Sequence, residues 1–222
     1  MAAGLGLLLN AAVFWHTATA TLAAVLLAQM IAAKLTWQLT ESLAKSGNDS
    51  NRRQSIEVLF SAYSKSFISS MLLFLTGGFA LLLPYRLFLA ADILSAESAK
   101  ASSFLKPFVA VRRLLALPGE LLATAFTFFA TLLVPWSYVA QGVKTLIQTK
   151  GKIRNGTLAI VSGAFNMSLQ TAEAASQKSW IGPEKGTAKI DQETCRHALI
   201  VALVAFAVSI AFLLVLLLAA VK

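Results

Sequence analysis

No charged residue occurs between Met1 and Ala33. As a helix rising about 1.5 Å per residue, residues 4–33 extend for about 45 Å, more than the ~30 Å hydrocarbon core of a bilayer. In lipid the backbone has to bond within its own segment, so this run is expected to be a tilted or protruding transmembrane helix. Its watery end is marked by Lys34, Trp37 and Lys45, with Trp37 at the level of an aromatic belt. Ala18-Thr19-Ala20 offers a small-x-small cleavage pattern, but residues 1–10 carry no Lys or Arg and the apolar run continues well past it. An uncleaved first helix is therefore expected.

Within this run Ala12, His16, Ala20, Ala24, Ala28 and Ala32 stand four residues apart. Helical residues at i and i+4 lie one above the other, so the six form a narrow ridge of small side chains interrupted by one imidazole. Ridges of that kind let membrane helices approach closely, which points to packing against other transmembrane subunits.

Three further apolar runs follow, over residues 67–86, 114–137 and 198–221. Only 13% of the 222 residues are charged and 57% are hydrophobic, against roughly 25% charged in soluble domains. The fold class is thus all-α, a single multi-pass helical membrane domain with four transmembrane helices. Ile56, Leu59, Phe60, Tyr63 and Phe67 recur at helical spacing ahead of the second run, so the first two helices are expected to extend into a cytoplasmic helical hairpin around Ala33 to Ser66, turning at Ser46-Gly47-Asn48-Asp49-Ser50. Gly77-Gly78 and Pro84 are expected to kink or end the second helix, with Tyr85 anchoring Arg86 and Asp92 at an interface.

Residues 138–197 form a polar loop. Leu158, Val161, Phe165, Leu169 and Ala172 share one helical face, so an interfacial amphipathic helix is expected over residues 157–175. Asp191 is placed to cap the last helix, with Glu193 in its first turn. The loops after the first and third runs hold 13 Lys and Arg and the opposite side 6. By the positive-inside rule both termini are expected to be non-cytoplasmic. The sequons at Asn48, Asn155 and Asn166 lie in the loops so assigned to the cytoplasm and oppose that orientation.

The net charge of +9 comes without a basic block longer than two residues, zinc-finger spacing or aromatic-glycine RNA motif. The expected partners are membrane lipids, and no nucleic acid. Cys195 is the only cysteine, which excludes an intrachain disulfide and a cysteine metal cluster. No catalytic set, metal site or cofactor motif can be assembled, so no enzyme, metal or cofactor is expected. Three ionisable groups fall within or at the rim of the expected spans: His16, Arg86 and Glu120. Such groups are functional candidates by default. A structural contact in which Arg86 neutralises Glu120 and His16 pins the first helix is the favoured expectation, and a proton or ion path through His16 and Glu120 is the alternative. The expected function is a non-catalytic accessory or scaffold subunit of a membrane complex. A small channel or transporter, as a single chain or an oligomer, is the alternative.

Overall fold

A computed structural model describes residues 34, 37, 38, 41, 45, 48–97, 106–149, 155–171 and 179–220. Residues 1–38 form one compact unit and 39–222 another. Of the first unit only Lys34, Trp37 and Gln38 are described, all helical. The expected first span and its ridge Ala12, His16, Ala20, Ala24, Ala28 and Ala32 lie outside the described residues. Glu41 and Lys45, which open the second unit, are helical and paired at 2.7 Å.

The second unit is mostly helical. Helix α1, Asp49–Ser61, starts where the sequence turn ends, and the Asn48 side chain accepts the Ser50 N–H at 3.1 Å as its cap. The apolar stripe read from spacing is its inner face: Ile56, Leu59 and Phe60, then Tyr63 and Phe67, are all buried. Without a break, α1 passes through a π-helical segment, Ala62–Ile68, into α2, Ser69–Glu97.

Helix α2 runs past the span expected over residues 67–86 and is broken within it, at the Gly77-Gly78 pair expected to kink or end it. Gly78 has φ 58° and ψ −146°, a conformation that a Cβ disfavours, and the helix is broken there. Beyond it the chain turns back. The Tyr85 hydroxyl donates to the Lys65 carbonyl at 2.6 Å and Arg86 Nη2 to the Ser66 carbonyl at 3.2 Å. In an unbroken helix residues 65 and 85 would be about 30 Å apart. The long ascending helix therefore ends at Gly77, and residues 79–97 form a folded-back arm. Tyr85 is fully buried and not at a watery interface, because its hydroxyl is used against backbone inside the protein.

Helix α3, Lys106–Leu133, begins earlier than the expected third run and ends before it, at the turn Val134-Pro135-Trp136. Its buried face repeats at helical spacing through Arg112, Ala116, Gly119, Ala123, Thr127 and Ala130. A Cβ on Gly119 would collide with the backbone and hydroxyl of Ser69, so a missing side chain is what allows α3 to cross α2 so closely.

The polar loop holds α4, Val139–Gln148, α5, Gly156–Ala164, and a small antiparallel pair, β1, Leu169–Thr171, and β2, Ser179–Ile181, in the register Leu169↔Ile181, Gln170↔Trp180 and Thr171↔Ser179. The amphipathic helix expected over 157–175 is thus corrected in length and setting. It stops at Ala164, after which Asn166 takes the left-handed φ of 51° that Asn tolerates, and Met167 bridges to Thr187. Every residue of α5 is buried. Ser162, counted as polar from sequence, donates its hydroxyl to the Ala159 carbonyl at 3.0 Å and sits in the core.

Helix α6, Gln192–Ala220, begins six residues before the expected span, capped as expected by Asp191, whose Oδ1 accepts the Thr194 N–H at 3.0 Å. It packs on α1 and the π-segment: Ser55 Oγ lies 4.0 Å from Cys195 Sγ, and Phe206 meets the Tyr63 ring edge-on at 4.7 Å. Ser209, the single polar residue of its apolar stretch, is hydrogen-bonded to the Tyr63 hydroxyl at 2.6 Å.

Among the described residues three helices are long and apolar enough to cross a membrane: Asp49–Ala91, which includes the fold-back, Pro107–Leu133 and Gln192–Leu213. Outside their packed faces they expose Leu83, Leu87, Leu114, Phe129, Leu133 and Leu203. Loop-one and loop-three segments meet at the opposite end from the Gly78 turn. The Gln170 N–H donates to the Glu57 carboxylate, Arg53 lies 5.0 Å over the Trp180 ring, and Arg52 Nη1 donates to the Ile190 carbonyl at 3.3 Å.

Hydrogen bonds from Thr194, side chain first and backbone second, hold the Asp191 carboxyl below its ordinary range. A carboxyl lowered in the folded state adds stability that is present above its unfolded pKa and is lost as pH falls through the folded one. The cap contributes about 1 kcal/mol. Thermal melting of Asp191→Asn is expected to match the parent near neutral pH, since Asn also caps, and to lose less stability than the parent on acidification below pH ~4.

Candidate functional site

The fold-back brings together side chains that are far apart in sequence. In the π-segment the Ser69 N–H reaches back five residues to the Ser64 carbonyl. When the register returns from five residues to four, one carbonyl at the end of the segment loses its amide partner, and an unsatisfied carbonyl in an apolar setting costs several kcal/mol. The Tyr85 hydroxyl donates to the Lys65 carbonyl in this segment. Arg86 fills the Ser66 carbonyl beside it. The Ser69 hydroxyl donates to the Ser64 carbonyl at 2.8 Å and lies 3.4 Å from the Ala116 carbonyl of α3.

Around this point the helices converge. Leu73, Tyr85, Leu89 and Ala116 form one buried apolar cluster. Phe88 packs on Phe108 at 5.4 Å. Of the residues singled out from sequence, Arg86 is half-buried and Glu120 buried, and both charges act on the Tyr85 hydroxyl together with that of Arg112. The structure thus places Arg86 and Glu120 in one cluster, while His16 is outside the described residues.

Sequence reasoning did not single out Arg112 or Ser69, and it gave Tyr85 only as an interface anchor. The signal for Arg112 was present: it stands four residues before Ala116 and eight before Glu120, on the face that small residues mark as packed. Tyr85 and Arg86 tie the returning arm to carbonyls of the ascending helix, and Ser69 meets α3 at the Ala116 carbonyl.

A second polar pin lies toward α6. Tyr63 and Ser209 bond across helices, and Ser209 also donates to its own Ala205 carbonyl at 2.7 Å. Thr124 and Thr127 on α3 return their hydroxyls to carbonyls four residues back at 2.7 and 2.8 Å. His197 is stacked between Trp136, at 5.0 Å, and Phe165, at 6.4 Å. Cys195 is a buried free thiol. Among the described residues no three His, Cys, Asp or Glu side chains are grouped as metal ligands would be. No family model, curated protein or solved structure matches the chain.

Losing the part-buried hydrogen bond from Tyr85 to the Lys65 carbonyl costs about 0.5–1.5 kcal/mol. Tyr85→Phe is therefore expected to lower the melting temperature measurably in detergent. Tyr138→Phe, at a position 70% exposed, is the matched control and should leave it unchanged.

Proposed function

We propose that this chain is a non-catalytic integral membrane protein, an accessory or scaffold subunit that packs in the bilayer against other transmembrane subunits. The observation that carries this reading is where the buried polar groups of the apolar helices are used. Tyr85, Arg86, Ser69, Thr124 and Thr127 all donate to the chain's own backbone, and Tyr63 bonds to Ser209. Groups used this way fix helix positions in an apolar medium. The described helices pack on one another through small residues of α3, and by its spacing in the sequence the row Ala12, His16, Ala20, Ala24, Ala28 and Ala32 is the surface we assign to a partner.

The orientation follows from charge, with both termini non-cytoplasmic and the joined loops one and three in the cytoplasm. Two of the opposing sequons lose weight. Asn155 is buried, and the Asn166 carboxamide accepts from Gln141 Nε2 at 3.2 Å. A glycan on Asn155 would have to enter the core.

The protein purified in mild detergent is expected to run above its monomer mass, and Ala20→Cys and Ala24→Cys variants to cross-link to the associated chain. A monomeric particle with no cross-link at either position would contradict the scaffold role. A channel or transporter is the second reading, favoured by a broken apolar helix whose returning arm carries Tyr85 and Arg86 toward Arg112 and Glu120. It requires ion or proton flux in proteoliposomes that Glu120→Gln or a His16 substitution abolishes. Flux unchanged in Glu120→Gln would remove Glu120 from any path.

A further inference from the structure

The amphipathic helix of loop three is not where periodicity put it, and its true position says what it touches. Helix α3 leaves its apolar environment at Leu132 and Leu133, which are 52% and 66% exposed. Within five residues the chain turns at Pro135 and presents Trp136 and Tyr138, also exposed, immediately before α4. One face of α4, with Gly142 and Thr145, is buried against Ile160 and Gly163 of α5. The neighbouring arc carries half-buried Val139, Val143 and Leu146 and ends in Ile147, at 72% the most exposed large hydrophobic side chain among the described residues. Lys144 and Gln148 are exposed beside it.

We propose that α4 lies in the headgroup layer of the membrane that holds the apolar helices, and that Lys144 engages an anionic phospholipid there. The inference rests on the membrane reading above and goes beyond it by naming a lipid-contact element. Two observations select lipid as the occupant. The exposed apolar arc is continuous with the exposed end of α3 through Trp136 and Tyr138, the residue types that settle at a membrane–water boundary. The sequence around it is also one-signed: residues 121–172 hold four Lys and Arg and no Asp or Glu. An amphipathic helix with a basic polar side gains from anionic headgroups as well as from its buried apolar arc.

The test uses the full chain with Cys195→Ser and Ile147→Cys, the new thiol carrying an environment-sensitive fluorophore. The protein is reconstituted into vesicles of phosphatidylcholine, alone or mixed with phosphatidylglycerol. Iodide is present on both faces, and a headgroup-level nitroxide lipid is added in parallel samples. Quenching is expected to be stronger from the nitroxide lipid than from iodide, with a blue shift that grows when phosphatidylglycerol is included. Lys144→Glu should abolish that growth. A label quenched chiefly by iodide in both vesicles would overturn the proposal, as would one shielded from both quenchers, the mark of a covering protein chain. A blue shift indifferent to phosphatidylglycerol would overturn the anionic-lipid contact. The same fluorophore at exposed Lys185→Cys should stay open to iodide and report a folded loop. If the parent chain leaves the vesicles under alkaline extraction, it is the membrane reading that fails.

Discussion

The described fold turns on one returning hydrogen bond, from the Tyr85 hydroxyl to the Lys65 carbonyl. The acceptor lies in a π-segment, where the regular helical ladder is interrupted, and a side-chain donor there ties a distant part of the chain to it. Here the donor comes from twenty residues further along, because Gly78 lets the chain turn and carry Tyr85 back to Lys65. Arg86 follows to Ser66, Leu73 and Leu89 close around Tyr85, and α3 seals the group from the side through Ala116. Remove the turn and the carbonyl, the tyrosine and the guanidinium all lose their partners together. The break and the hydrogen bonds are therefore one device.

Much of this was legible in the sequence, and the failures have physical reasons. The stripe from Ile56 to Phe67 gave both helix and inner face, because a half-buried helix shows its period. Gly77-Gly78 was legible as a break. Its geometry was not, since two apolar arms joined by a turn have the same composition as one apolar span, and hydropathy carries no direction. Tyr85 read as an interface anchor because a tyrosine beside an arginine resembles an aromatic belt. A buried carbonyl that needs a donor leaves no trace in residue spacing. Helix α5 misled in the opposite sense. The apolar face read from Leu158, Val161 and Phe165 implied an exposed opposite side, yet Ser162 bonds its own helix and is buried with the rest of α5.

The candidate site was half legible. Glu120 stood out as a charge inside an apolar run, and Arg86 as a charge at its edge. Arg112 was hidden by its neighbour Arg113, since the pair looked like a boundary marker. Only the face it shares with Ala116, Gly119 and Ala123 distinguishes it. That face also changes how the alanine row of the first helix is understood. On α3 the same kind of small-residue surface is already used within the chain, where Gly119 meets Ser69. The alanine row has the same small-residue spacing in the sequence, which is the ground for the partner proposed above.

The fold-back at Gly78 can be measured directly. Spin labels at Val58 and Leu87, both exposed, in a Cys195→Ser background report the distance between the ascending helix and the returning arm. The structure predicts a narrow distribution centred near roughly 20 Å, from the short helical offsets of the two sites from the Lys65–Tyr85 contact. A continuous helix through Gly78 would instead give a separation of about 43 Å, and that result would contradict the account.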